Sequence, residues 1–247
     1  MAAVSFLETK ALSRRFGGLT AVDGVDFSLR AGEIRAIIGP NGAGKTTLVS
    51  MISGRLAPSD GAIRFEGTDI TRLPPWARVA RGIVYTFQIT SVFRNLSCFE
   101  NVALAAQRAL TLGKAPWHAI DQAALASSVT GALERVQLHE RSDTPAANLP
   151  YGHQRLLELA MSLALKPKLL VLDEPTQGLS EAEITHFCEL VREIADDATI
   201  LLIEHNMDVV MELAERITVM SNGAILAEGT PAEITADAAV QQAYLGA

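Results

Sequence analysis

The stretch VDFSL at 25–29 puts Val25, Phe27 and Leu29 on one face of an extended segment and polar residues on the other, the period-2 pattern of a half-buried strand. A polar turn, AGE at 31–33, leads into IRAII at 34–38, and a glycine-rich segment follows at once. Three further apolar runs, GIVYTF at 82–87, LLVL at 169–172 and TILLI at 199–203, have the unbroken character of strands buried on both faces of a parallel sheet. AIRFE at 62–66, bounded by Gly61 and Gly67, reads as one more short strand.

Helical patterns lie between and after these runs. One helix is predicted from Lys45 to about Ser53, ended by Gly54. From Gln88 to Lys166 strands give way to helices: a capping box at Ser97 and Glu100 opens the first, a second spans 118–136, and a third starts near Gly152. Pro150 suits the first turn of that third helix, where its missing N–H costs nothing. Beyond it come a capping box at Ser180 and Glu183, a hairpin in which Ser221, Asn222 and Gly223 separate ITVM from AILAE, and a helical tail opened by Pro231. The alternation predicts an α/β fold with a helical insertion.

Each apolar run ends in polar residues: Gln88, then Asp173 with Glu174, then Glu204 with His205. Ligands of open parallel sheets bind outside the carboxyl ends of the strands, so the spacing predicts that these residues converge on one crevice.

Composition narrows the partners. With 49% hydrophobic and 20% charged residues the chain is of globular type, and its net charge of -7 argues against binding nucleic acid by phosphate neutralisation, so no nucleic-acid partner is expected. Cys98 and Cys188 are far apart and lack metal-ligand spacing, which predicts buried structural thiols. No apolar run reaches the roughly 18 residues of a membrane span, and the N-terminus has no basic start followed by an apolar run; a soluble, cytoplasmic chain is expected.

The chemistry is set by GPNGAGKTT at 39–47, a phosphate-loop motif with a strand before it and a helix after it. Backbone N–H groups of Gly39, Asn41, Gly42, Ala43 and Gly44, with Pro40 in the same loop, would curl round phosphates, aided by the dipole of the following helix. Proline, lacking an N–H, contributes shape alone. Lys45 would reach the β- and γ-phosphates and Thr46, followed by Thr47, would ligate Mg²⁺. In LLVLDEP, Asp173 suits the second metal ligand and Glu174 the residue that orients and deprotonates the attacking water. His205 can hold the γ-phosphate and Glu174, and Gln88 can contact Mg²⁺ or the water.

With these residues in order, the chain resembles the ATP-binding-cassette ATPases over nearly all its length: the phosphate loop, Gln88, NLPYGHQR at 148–155, LLVLDEP, GLS at 178–180 and IEH at 203–205. RRFGGLTAV, RGIVYTFQ, IEHNMDVV and the ending AYLGA are similar to the subfamily that energises import of branched-chain and other hydrophobic amino acids, with urea carriers close by. The resemblance implies a RecA-like phosphate-loop core with an antiparallel β subdomain and a helical subdomain: one ATPase domain over 1–247, its core at 1–88 and 167–247 and its helical part at 89–166. It implies ATP and Mg²⁺ as ligands, Phe16 as the aromatic that stacks on adenine, and a second cassette closing head to tail. Membrane permease subunits would bind the cassette, an external solute-binding protein would act through them, and the cassette would sit peripherally on the inner face of the membrane. An exporter of lipopolysaccharide type, a non-transport ATPase and a regulatory subunit that binds ATP without hydrolysing it are the other readings of the resemblance; 247 residues leave no room for the paired cassettes or coiled coils of the non-transport class, and Glu174 argues against the regulatory one.

The family's signature segment, which meets the neighbour's ATP, falls on Leu149, Pro150, Tyr151, Gly152 and His153, and the resemblance implies that Ser180 acts in trans with it. Pro150 stands where the family has serine. It lacks the hydroxyl that donates to the γ-phosphate, a loss on the order of 1.5–3 kcal/mol to dimer closure. His153 in place of glutamine is milder, since imidazole can still donate. A weakened but working signature is expected, together with a docking role for Val92, Phe93 and Leu96 after Gln88.

Overall fold

The computed structural model describes residues 5–86, 91–112 and 119–245. In chain order its elements are β1 (Leu7–Phe16), β2 (Leu19–Leu29), β3 (Ile34–Ile38), α1 (Lys45–Ile52), β4 (Asp60–Phe65), β5 (Thr68–Asp69), α2 (Pro75–Val79), β6 (Ile83–Tyr85), α3 (Cys98–Thr111), α4 (Gln122–Arg135), α5 (Tyr151–Ala164), β7 (Leu169–Asp173), α6 (Glu181–Ala195), β8 (Thr199–Ile203), α7 (Met207–Leu213), β9 (Arg216–Ser221), β10 (Ala224–Gly229), α8 (Pro231–Ala236) and α9 (Ala238–Leu245). Two sheets result. One is antiparallel, in the order β2-β1-β4-β5; the other runs β10-β9-β3-β8-β7-β6 and is parallel except for the final hairpin strand β10.

The unbroken apolar runs are explained by what covers the parallel sheet. Along β7 and β8, Leu170, Leu172, Ile200 and Leu202 pack into a cluster with Val102 of α3, Val129 of α4, Leu157 of α5 and Phe187 of α6. Their neighbours Leu169, Val171, Leu201 and Ile203 turn the other way, onto Leu48 and Ile52 of α1 and the antiparallel sheet. Consecutive residues thus enter different cores, and no position on these strands can be polar without cost. Arg78, buried between α2 and the end of α1, donates to the carbonyls of Met51, Ile52, Leu73 and Thr71 and so braces the helix that follows the glycine-rich loop.

Three elements differ from the sequence-based expectation. The strand β1 and the first half of β2 show no alternation in the sequence because a bulge interrupts the pattern: Ala11 sits at φ 45° with its N–H donated to Asp26 Oδ1 at 2.7 Å, and the register shifts between Thr9 and Leu12. The helix expected over 118–136 begins at Gln122, because Asp121 caps it through the N–H groups of Ala123 and Ala124. Pro150 is not inside the first turn of α5 but at its N-cap, where its carbonyl accepts from Gln154 N at 3.0 Å and its side chain offers no cap. Both thiols are buried, and burial pushes Cys188 up to about 11.

Candidate active site

β3 ends at Ile38, and the chain turns through Gly39, Pro40, Asn41, Gly42, Ala43 and Gly44 into α1, which opens with Lys45, Thr46 and Thr47. Gly44 occupies the N-cap at φ 96°; no side chain caps the helix and no acidic residue lies in its first turn. The positive end of α1 therefore faces an open cleft of about 340 Å³, lined also by Phe16, Glu174 and His205. A Cβ on Gly44 would collide with the carbonyl of Ala21 in β2, and one on Gly39 with that of Met220 in β9. Glycine is what lets the loop lie between those strands.

Lys45, 6% exposed, folds back so that Nζ donates to the carbonyls of Gly39 at 2.6 Å and Pro40 at 3.0 Å. Burial lowers its pKa, opposed by the nearby charges of Glu174 and Asp173. Thr46 is exposed to the cleft. The Phe16 ring is exposed at the end of β1, with the Arg14 guanidinium carbon 4.6 Å from its centroid.

Asp173 is the last residue of β7 and is 2% exposed. The Tyr85 hydroxyl donates to its Oδ2, while its Oδ1 is buried with no hydrogen-bond partner among the described residues. Burial raises the Asp173 pKa, and the Tyr85 bond works against that rise. Glu174, next along, sits at φ 48°, a left-handed conformation uncommon outside glycine, and donates its N–H to Ile203 O at 2.9 Å. Its Oε1 lies 2.7 Å from His205 Nε2. The pairing follows from register: β7 and β8 run parallel with Asp173 opposite Ile203, so residues just past the two strands meet.

Gln88 lies outside the described residues. Glu204 does not face the cleft as expected. It is 4% exposed and turned inward, accepting hydrogen bonds from Thr176 and from the N–H groups of His205 and Asn206. A period-2 reading carried past the strand end separates Glu204 from His205, because neighbouring extended residues point to opposite sides.

A second cluster gathers the residues expected to act across a dimer. The Tyr151 ring covers Gly178, whose notional Cβ would lie 3.1 Å from Tyr151 Cε1, and the Arg155 guanidinium carbon is 5.6 Å from the ring centroid. Gly152 is buried beneath Glu183, whose carboxylate occupies the space of any Cβ there. Glu183 Oε2 in turn accepts from Ser180 N at 2.8 Å and Ser180 Oγ at 2.7 Å, bonds that lower its pKa. His153 Nδ1 is buried without a partner among the described residues; burial, then the Arg141 charge, lowers its pKa and favours the neutral ring. Gly152 and His153 line a cavity of about 190 Å³ that shares no residue with the phosphate-loop cleft.

Residues 22–177 match the profile of the family described as ABC transporter, and residues 224–247 match that described as branched-chain amino acid ATP-binding cassette transporter. The chain belongs to the ATP-binding-cassette (ABC) transporter family. It is 40% identical to the high-affinity branched-chain amino acid transport ATP-binding protein LivG of Salmonella typhimurium, with 97% of each chain covered. It is 38% identical to the corresponding protein BraF of Pseudomonas aeruginosa, again over 97% of each. Among solved structures it is similar to a nucleotide-free ATP-binding cassette from an ABC transporter, at TM-score 0.87 and 30% identity over 99% of this chain and 100% of that one. A cassette in its ADP conformation gives TM-score 0.86 at the same identity and coverage. The RecA-like ABC fold with its antiparallel β sheet is thus the fold of this chain, and the cassette is an ATPase domain that binds nucleotide.

The site suits Mg²⁺. Asp173 Oδ1 is a buried carboxylate oxygen without a partner among the described residues, and Thr46 adds an exposed hydroxyl, so these two donors are oxygen. Among the described residues no group of three or more His, Cys, Asp or Glu can hold a metal.

Proposed function

We propose that this cassette is the ATP-hydrolysing motor of a membrane importer for branched-chain or other hydrophobic amino acids. Hydrolysis is carried by one observation: Glu174 Oε1 and His205 Nε2, 2.7 Å apart, line the same cleft as the uncapped end of α1. The loop 39–44, Lys45, Thr46 and Thr47 bind the phosphates and Phe16 the adenine; Thr46, Asp173 and Gln88 would hold Mg²⁺, which would supply positive charge against the phosphates. Glu174 accepts the proton of the attacking water, and His205 holds Glu174 and the γ-phosphate in line. The core is 1–88 with 167–247 and the helical part 89–166. Import of amino acids is supported by the names of the 40% and 38% identical relatives.

Pro150, Tyr151, Gly152, His153 and Ser180 serve the ATP of a second cassette, the same chain or a sister. The reading is supported by Gly152 and His153 lining a cavity apart from this chain's own phosphate loop and by Ser180 sharing Glu183 with the Gly152 turn. Pro150 at the N-cap leaves α5 without both a side-chain cap and a phosphate donor. Pro150→Ser is therefore expected to raise stability by about 1 kcal/mol and to shift ATP-driven dimer closure by about tenfold. Urea unfolding reads the first, and ATP turnover with gel filtration the second; unchanged turnover and nucleotide affinity would discard the phosphate account.

The cassette works at the inner face of the membrane, attached through permease subunits that an external binding protein supplies; no helix among the described residues is long and apolar enough to cross a membrane. Phe93 suits the contact. Its backbone is clasped by the buried Asn101, which accepts from Phe93 N at 2.8 Å and donates to Phe93 O at 3.0 Å, while its ring is 55% exposed. Val92 instead packs against the helical core. Phe93→Asp is expected to leave ATPase activity in place and abolish uptake driven by it; coupled uptake in the variant would count against this surface. The function is tested by isolating the membrane complex and measuring ATP-driven leucine uptake in vesicles. Urea uptake, or outward movement of a lipid, would replace the amino-acid reading.

A further inference from the structure

We infer that Glu204 is a positioning residue for hydrolysis, a buried carboxylate that joins the turn carrying Glu174 to the turn carrying His205. The inference rests on the roles proposed above for those two residues. Each carboxylate oxygen serves one turn. Oε1 accepts from Thr176 N at 3.0 Å and Thr176 Oγ1 at 2.5 Å, two residues past Glu174. Oε2 accepts from His205 N at 2.8 Å and Asn206 N at 3.1 Å.

A carboxylate this deeply buried is costly unless its lone pairs are filled, and here four donors fill them. Bonds to an ionised acceptor are shorter and stronger than neutral ones, so both turns are drawn to fixed places around one group. Beyond His205, Asn206 caps α7 by accepting from Asp208 N at 3.1 Å, which fixes the far side of the same turn. Glu174 is held from its own side by the N–H bond to Ile203 O. The contact between Glu174 and His205 is thus set by backbone anchors, and the buried Glu204 carboxylate bonds to the backbone of both turns. The packing need at this position could be met by an apolar residue; the four convergent donors call for two acceptor oxygens.

Glu204→Gln separates positioning from bulk. The amide matches the carboxylate in shape but has one acceptor oxygen, so its NH₂ must face either the Thr176 donors or the His205 and Asn206 N–H pair. In the full chain, kcat for ATP is expected to fall about tenfold to a hundredfold while KM stays within about twofold, since the phosphate loop is untouched. In a His205→Ala background the same change should cost less than about a further twofold, because the group it acts through is gone. Unchanged kcat, or a loss that multiplies fully in the His205→Ala background, would overturn the inference. Wild-type turnover in His205→Ala alone would instead remove the role of His205, and the inference with it. Should Glu204→Gln fail to fold, Thr176→Val deletes one donor and keeps the backbone N–H. It is expected to lower kcat severalfold at constant KM, and an unchanged kcat there overturns the inference equally.

Discussion

Replacing Glu174 by Gln is expected to slow ATP hydrolysis by about 10²–10⁴-fold while ATP remains bound. The amide still reaches His205, 2.7 Å from the present Oε1, so the geometry of the cleft survives. What is lost is the proton acceptor for the attacking water. The substitution also removes a negative charge from beside the phosphate site, where Lys45 stands among Asp173 and Glu174. Charge repulsion with the γ-phosphate then falls, and the ATP-bound, closed dimer should accumulate. Gel filtration with and without ATP reads the dimer, and phosphate release in a single turnover reads the chemistry. Hydrolysis at the wild-type rate would take the proton role away from Glu174.

The second large effect lies away from the chemistry. Arg78→Met is expected to cost about 3–5 kcal/mol of stability, because it leaves inward-facing carbonyls without their donor. The guanidinium is 1% exposed; its Nη1 donates at 2.6 Å and 2.7 Å to Met51 and Ile52 in the last turn of α1, and its Nε and Nη2 donate at 3.0 Å to Leu73 and Thr71. Burial brings its pKa down to about 10, which still leaves it charged at neutral pH. Gly54 belongs to the same arrangement, since a Cβ there would sit 2.7 Å from Arg78 Nε. A cation at the carboxyl end of α1 also complements the helix dipole. Methionine fills the volume but supplies no donor, and lysine has no planar fork to span four carbonyls. Urea unfolding measures the loss, and a change below about 1 kcal/mol would show that the brace is dispensable. Because α1 begins at Lys45, the same variant should bind ATP more weakly.

Much of the site could be found in the sequence because it is local. The phosphate loop occupies nine consecutive residues, 39–47, whose conformation depends on glycine placement and on the helix that follows, and Gly44 stands at the N-cap of that helix. Asp173 and Glu174 announce themselves as the polar end of a buried strand. The strand β1 was hidden by its bulge at Ala11, since one extra residue destroys the alternation that reveals a strand.

What the sequence by itself determined is therefore the strands and helices of the parallel sheet, the phosphate-loop motif, and the candidate residues proposed for the chemistry, all properties that short-range pattern and side-chain type decide. Tertiary structure decided which of the residues expected to converge do so, and which distant segments join them. The parallel register of β7 and β8 brings Glu174 to His205 and turns Glu204 inward, the antiparallel sheet supplies Ala21 and Phe16 to the cleft, and Arg78 reaches α1 from 26 residues away in the chain. Such contacts depend on long-range packing and on hydrogen bonds that buried groups must find, and one-dimensional spacing does not carry that information.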